Sequence, residues 1–182
     1  MGIIEAFRRD DSVSQVFMTT HSPIAVESCD ASELAVVVPG VDGPSLQFLP
    51  EELQSLHRTN PSACLARKIV VTEGSTEEGL VRAAVRHHDN LRRERRTPTS
   101  AAYEVSVCNG GGGAHACEKA GSFLALGYGV LLMIDGDDKT IDSKVSELKR
   151  KGLRIFRWGE GACTESAIIS GLTRGEVLGL LM

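Results

Sequence analysis

Aromatic side chains are scarce in this chain: Phe, Tyr and Trp together make up 4% of its 182 residues. Proteins that grip single-stranded nucleic acid stack bases on such rings, so the composition argues against that class of binder. Five cysteines, Cys29, Cys64, Cys108, Cys117 and Cys163, occur with no C-x-x-C pair and no spacing that suggests a zinc site or a disulfide framework. A reduced, cytoplasmic setting is the simpler expectation. No stretch approaches the roughly 18 apolar residues of a membrane span. The opening Met1-Gly2-Ile3-Ile4-Glu5-Ala6 has no basic region followed by a long apolar run, and Ala6 spoils a myristoylation pattern. Also absent is G-x-x-x-x-G-K-[ST], the loop that cradles nucleotide phosphates, so this chain alone is not expected to hydrolyse ATP.

What is present is an ordinary globular composition, 42% hydrophobic and 24% charged with a net charge of −4, and enough length to bury a real core. An acidic protein binds nucleic acid only if its basic residues gather on one face and cations neutralise its acidic pocket. From residue 68 the pattern alternates: strands are expected at 68–73, 103–108, 128–135 and 153–158, and helices at 76–95, 114–126 and 140–151. Such alternation implies an α/β fold with right-handed crossovers and a mainly parallel sheet flanked by helices. Upstream, the sequence suggests a turn or two of helix at 3–9 and an apolar strand from residue 15 that ends in Thr19-Thr20-His21-Ser22-Pro23. A hairpin follows, with strands at 33–38 and 45–49 around a turn rich in Gly and Pro at 39–44. Residues 50–67 read as a short helix and a connection, which places a domain boundary near 60–66 and divides the chain into 1–62 and 63–182.

Carboxylates stand at two of the strand ends. Glu73 closes the first strand of the alternating region, and Glu77 lies four residues on, one helical turn away if a helix starts near Ser75. Asp135 and Asp137 follow the third strand two residues apart, so both leave the same face if the extended backbone persists through Gly136. Ligands of a parallel sheet gather at the carboxyl ends of its strands, where Glu73, Asp135 and Asp137 would converge if their strands are neighbours. Magnesium and manganese prefer hard carboxylate oxygens, and two such ions roughly 4 Å apart suit four or five carboxylates. Without metal the acids would repel one another and some would take up protons near neutral pH. The bland alternative is that Asp135, Asp137 and Asp138 form a solvated turn, as Asp and Gly readily do.

Three other features carry weight. The helix at 76–95 and its end hold Arg82, Arg86, Arg92, Arg93, Arg95 and Arg96 with His87 and His88, a solvated face or a grip on a DNA backbone. Adjacent histidines project in different directions and make a poor metal clamp. Asn109-Gly110-Gly111-Gly112-Gly113-Ala114-His115 lies between a strand and a helix, but neither Glu104 nor Glu118 stands about 20 residues beyond it as a dinucleotide fingerprint requires, so a tight turn or a close approach to a phosphate is the better reading. Trp158, alone at a strand end, reads as a core or rim residue.

A glutamate closing the first strand as Glu73-Gly74, then Asp135-Gly136-Asp137 closing a later strand of the same unit, resembles the Toprim domain. The order Thr19-Thr20-His21-Ser22-Pro23, Glu73-Gly74-Ser75-Thr76-Glu77, Asp135-Gly136-Asp137 is similar to the C-terminal part of an overcoming-lysogenization-defect (OLD) family nuclease, and the likeness covers nearly the whole chain. This resemblance implies a Rossmann-like Toprim nuclease unit preceded by the C-terminal remnant of an ABC-type ATPase, with His21 in the place of its switch histidine. ATP would be bound only in that upstream part, and the chain would be an excerpt of the longer protein. It further implies DNA cleavage with two Mg²⁺ or Mn²⁺ ions, with Glu73, Glu77, Asp135, Asp137 and Glu165 as catalytic metal ligands and Glu160 the competing choice for the last. One departure concerns a lysine that related nucleases use further along: no lysine follows Lys151. The alternatives are a non-catalytic Toprim module that binds DNA or regulates, its acids holding a structural ion, and a nucleotide-binding α/β domain that uses the glycine loop.

Overall fold

A computed structural model describes residues 5, 6, 9 and 15–173. The helix expected at 3–9 lies outside the described residues apart from positions 5, 6 and 9. The strand expected from residue 15 is not formed; Val16, Phe17 and Met18 are all exposed, and Phe17 is 80% accessible. An apolar run becomes a strand only when a ladder accepts it, and neither sheet of the chain pairs with this one. The Thr-Thr-His-Ser-Pro string instead starts helix α1 (Pro23–Glu27): the Ser22 hydroxyl accepts from the Ala25 N–H at 3.4 Å, and Pro23 fills the first turn, where a missing N–H costs nothing. His21 is exposed just before this cap.

Strands β1 (Ala35–Val38) and β2 (Ser45–Phe48) form the expected antiparallel hairpin, with Val37 opposite Leu46. The helix read into 50–67 is three short pieces, α2 (Glu51–Gln54), α3 (Leu56–Thr59) and α4 (Pro61–Leu65). Asn60 breaks the last two apart at φ −153° and ψ 66°, because Pro61 disfavours helical backbone in the residue before it. The division expected at 62/63 falls inside α4, and Leu53, Leu56 and Ala63 share one apolar core with Ile69, Phe123 and Leu132.

The rest alternates as the pattern requires: β3 (Lys68–Thr72), α5 (Ser75–Glu94), β4 (Val105–Asn109), α6 (Gly113–Ala125), β5 (Gly129–Ile134), α7 (Asp142–Arg150) and β6 (Arg154–Arg157). An eighth helix, α8 (Thr164–Gly171), was not among the expected elements. The four strands form one parallel sheet in the order β4-β3-β5-β6, so the fold is α/β with helices flanking a parallel sheet. Central position explains the unbroken apolar runs of β3 and β5, where Ile69, Val71, Leu132 and Ile134 are fully buried. Thr72 pairs with Asn109 on one side and Met133 on the other, so the chain leaves β3, β4 and β5 at one level of one sheet edge. Among the described residues no helix is long and apolar enough to cross a membrane.

Candidate metal centre

The site is assembled at that edge. Past Thr72, the Glu73 N–H still donates to the Met133 carbonyl at 2.9 Å, which extends the ladder by one bond. Glu73 Oε2 accepts the Asp135 N–H at 2.8 Å and ties the end of β3 to the loop after β5. Glu77, in the first turn of α5, is buried at 4% exposure; its Oε2 accepts the Gly74 N–H at 2.8 Å, the reciprocal bond of a helix-start box. Asp135 Oδ1 accepts both the N–H and the hydroxyl of buried Thr164, each at 3.0 Å, and Thr164 opens α8 with Glu165 next in line. In consequence Glu77, Asp135 and Glu165, from three distant stretches of chain, present carboxylate oxygens that all lie within 4.8 Å of one another.

The remaining acids are placed by the turn at Gly136. Extended backbone stops at Ile134, and the Gly136 N–H donates to Ala162 O at 2.8 Å while its carbonyl accepts the Gly161 N–H at 3.1 Å. A Cβ on Gly136 would lie 2.0 Å from Gly159 O and 2.6 Å from Trp158 O, so no larger residue fits there without moving backbone. The pleat on which Asp135 and Asp137 would share a face therefore ends before them. Asp135 is half-buried within the three-carboxylate group; Asp137 is exposed and is not a member of it. Asp138 instead comes close to Glu73: one oxygen from each lies near the position a Cβ on Gly113 would take, at 3.1 and 3.3 Å. Glu160 is 82% exposed and paired with Lys139 at 2.6 Å, so of the two glutamates considered after the last strand it is Glu165 that joins the group.

Arg157, at the end of β6, braces the acidic loop from behind. Its guanidinium donates to the carbonyls of Asp135, at 3.0 Å, and Asp138, and to Asp142 Oδ1 at 2.5 Å. Trp158 has a related part, its indole N–H donating to the Thr164 hydroxyl at 2.6 Å. Neither residue, nor Thr164 or Asp138, is marked by local pattern as part of a site. An arginine at a strand end reads as a solvated charge, and only the third dimension shows what it holds.

Electrostatics divides the acids. Burial raises the Glu73 pKa above the usual range, opposed by its bond from the Asp135 N–H and reinforced by the charges of Asp135, Glu77 and Asp138. Burial also raises that of Asp135, against the Thr164 hydrogen bonds and with the repulsion of Glu77 and Asp137. Glu165 is held below the usual range by its own backbone N–H and then by the Thr76 hydroxyl, and Asp138 by its bonds from Thr140. Two inner carboxyls thus resist ionisation beside outer ones that favour it.

The glycine loop serves this edge as a tight turn. Gly110 N–H donates to Thr72 O at 2.7 Å, Gly112 N–H to Glu73 O at 2.8 Å and Gly111 N–H to Asn109 Oδ1 at 2.9 Å. Three of the four glycine N–H groups are thus engaged within the fold, and Gly113 opens α6. His115 is exposed and contacts Glu118 at 3.3 Å. No family model matches the chain, and no curated protein matches it.

Proposed function

We propose that the carboxylate group holds divalent cations and that this unit is a metal-dependent DNA endonuclease of the Toprim kind, acting beside the ABC-type ATPase of an OLD-like protein. The supporting observation is the convergence of Glu77, Asp135 and Glu165 within 4.8 Å. The donor set fits: every ligand atom is a hard carboxylate oxygen, and opposite ligands of octahedral Mg²⁺ stand about 4 Å apart, within reach of small side-chain rotations. Glu73 and Asp138, both beside Gly113, are nearest to hand for a second ion, with exposed Asp137 on the same loop as Asp138.

When bound, such cations supply an activated water and stabilise the leaving oxygen of a phosphodiester. The chain's own part is positioning. Thr164 fixes the Asp135 carboxylate, Gly74 fixes that of Glu77, and Arg157 keeps the loop between them from moving outward.

Supercoiled plasmid incubated with Mg²⁺, Mn²⁺ or chelator tests this reading. Metal-dependent nicking is expected, lost in Glu77→Gln, Asp135→Asn and Glu165→Gln and least affected in Asp137→Asn. Equal nicking by Asp135→Asn would overturn it. Metal binding with no nicking would assign the unit to the non-catalytic, DNA-binding or regulatory class.

A further inference from the structure

We infer that the arginine-bearing outer face of α5 is a docking surface for a nucleic-acid duplex, held by its phosphates and led along the helix to the acidic edge. Between residues 82 and 96 six arginines stand against two acids, a local excess of +4 in a chain whose net charge is −4. Arg82, Arg86, Asp89 and Arg93 recur at the spacing of one helical stripe and line a groove whose other wall is residues 105–107 of edge strand β4. On the other flank His88, Arg92 and Arg95 line a second groove with Thr97 and Pro98.

Some of these charges are committed to the fold. Arg82 is bound to Glu78 at 2.7 Å and covers β4 through Val107 O at 3.1 Å, and Arg92 donates to Pro98 O at 2.7 Å. Arg86, Arg95 and Arg96 are exposed and make no ion pair among the described residues, and Arg93 donates to Asn90 Oδ1 at 3.3 Å while lying within the field of the Asp89 carboxylate. The one acid in the stripe, Asp89, is turned to Ser100, whose N–H and hydroxyl it accepts at 2.7 and 2.5 Å. Asp89 keeps its charge beside Arg93 and Arg92, so the positive charge of the groove that no acid offsets is smaller than its arginine count, with exposed Arg86 its clearest source.

The chemistry of the face selects the partner. No large apolar side chain of α5 is exposed, so the face lacks what a membrane-surface helix buries among lipids. It has no Phe, Tyr or Trp on which to stack an unpaired base. Guanidinium groups spread along an axis fit a rod of regularly spaced phosphates. At about 1.5 Å per residue, Arg86 lies about 13 Å and Arg93 about 24 Å along α5 from Glu77. That is the rise of about four and seven base pairs. The inference deepens the proposed function and rests on it for where the duplex leads, though not for the binding itself.

The test is fluorescence anisotropy of the whole chain, in chelator, with a labelled DNA duplex of about 20 base pairs and its RNA counterpart over about 50–200 mM salt. Removing two phosphate contacts in Arg86→Glu/Arg93→Glu should weaken duplex binding about 10²-fold at ~50 mM salt and make the log–log salt slope shallower by about 2. Arg86→Lys/Arg93→Lys should keep both, and the milder Arg86→Gln/Arg93→Gln stands in if charge reversal impairs folding. Equal binding of DNA and RNA supports contact through phosphates alone. Wild-type affinity in the Glu and Gln pairs, or uptake by anionic vesicles in place of duplex, would overturn the inference. Because chelator silences any metal chemistry, absence of plasmid nicking leaves this result standing, and loss of this surface leaves the metal site to be judged on its own.

Discussion

Adding one methyl group at Gly136 should dismantle the acidic loop, and the cost follows from the coordinates. In Gly136→Ala the new Cβ would sit 2.0 Å from Gly159 O and 2.6 Å from Trp158 O, where an ordinary carbon–oxygen contact needs about 3.3 Å. Both obstacles are backbone atoms, so the 135–138 and 158–162 loops must part by about 1 Å, an overpacking cost of about 1–3 kcal/mol. Parting stretches the two bonds that join them, Gly136 N–H to Ala162 O and Gly161 N–H to Gly136 O, each about 1 kcal/mol net. Against this, alanine reduces the freedom of the unfolded chain by about 0.4–1 kcal/mol. The balance is a loss of about 2–4 kcal/mol, or about 4–16 °C in melting temperature for a chain of this size. Because Thr164 and Glu165 ride on the displaced loop, Mn²⁺ affinity should fall about 10- to 100-fold. Gly79→Ala is the matched control: a Cβ there meets nothing within 4 Å inside α5, so the same change should stabilise by about 0.5–1 kcal/mol and leave Mn²⁺ binding alone. Urea unfolding followed by circular dichroism and Mn²⁺ titration calorimetry read both effects. A Gly136→Ala protein with wild-type midpoint and affinity would refute the reasoning.

Two further predictions concern the same edge. Arg157→Ala should cost about 2–3 kcal/mol by freeing the carbonyls of Asp135 and Asp138 together with Asp142, and Arg157→Lys should recover little, since one ammonium cannot span them; a lysine variant with the wild-type urea midpoint would refute this. For pH, a raised carboxyl pKa means that the folded state favours the protonated form, so the stability contributed by Glu73 and Asp135 is present below their ordinary values of 4.5 and 3.8 and is lost as pH rises through the raised ones. Metal-free Glu73→Gln should accordingly be more stable than wild type near neutral pH, with the difference vanishing as pH falls to the ordinary carboxylate range. Thermal melts in chelator from about pH 4 to about pH 8 check it, and parallel curves would refute it.

The sheet was legible because its signal is local. Runs such as Ile69-Val70-Val71 and Leu131-Leu132-Met133-Ile134 are β-branched or apolar without interruption and end at acids and glycine, and each observed strand falls within two residues of the expected bounds. Residues 15–19 show the limit of that signal, since an equally apolar run without a ladder partner stays unpaired and exposed. Glu77 was legible from its four-residue spacing to Glu73, whereas Glu165 came only from family resemblance, for α8 has no apolar stripe to announce it. A shared face for Asp135 and Asp137 is conditional on extended backbone through Gly136, and that condition is settled by residues more than 20 positions away. Nothing near Gly136 in the sequence shows that the carbonyls of Trp158 and Gly159 will occupy the space a side chain there would need.

One bland account of the acids is that each serves the fold alone, and for Glu77 it goes some way: a carboxylate in the first turn of a helix is favourable there, and its bond from the Gly74 N–H accounts for Oε2. The account fails for the company Glu77 keeps. Helix capping does not require Asp135 and Glu165 within 4.8 Å of it, and bringing like charges together around a buried carboxylate works against folding. The pKa values of Glu73 and Asp135 are raised first by burial and further by neighbouring carboxylates. Yet the chain spends Thr164, Arg157 and the tightest glycine contact in the sheet edge on holding the acids together. Under the proposed function a cation would remove the contradiction, because the same arrangement that is repulsive in its absence would become a set of ligands already in place.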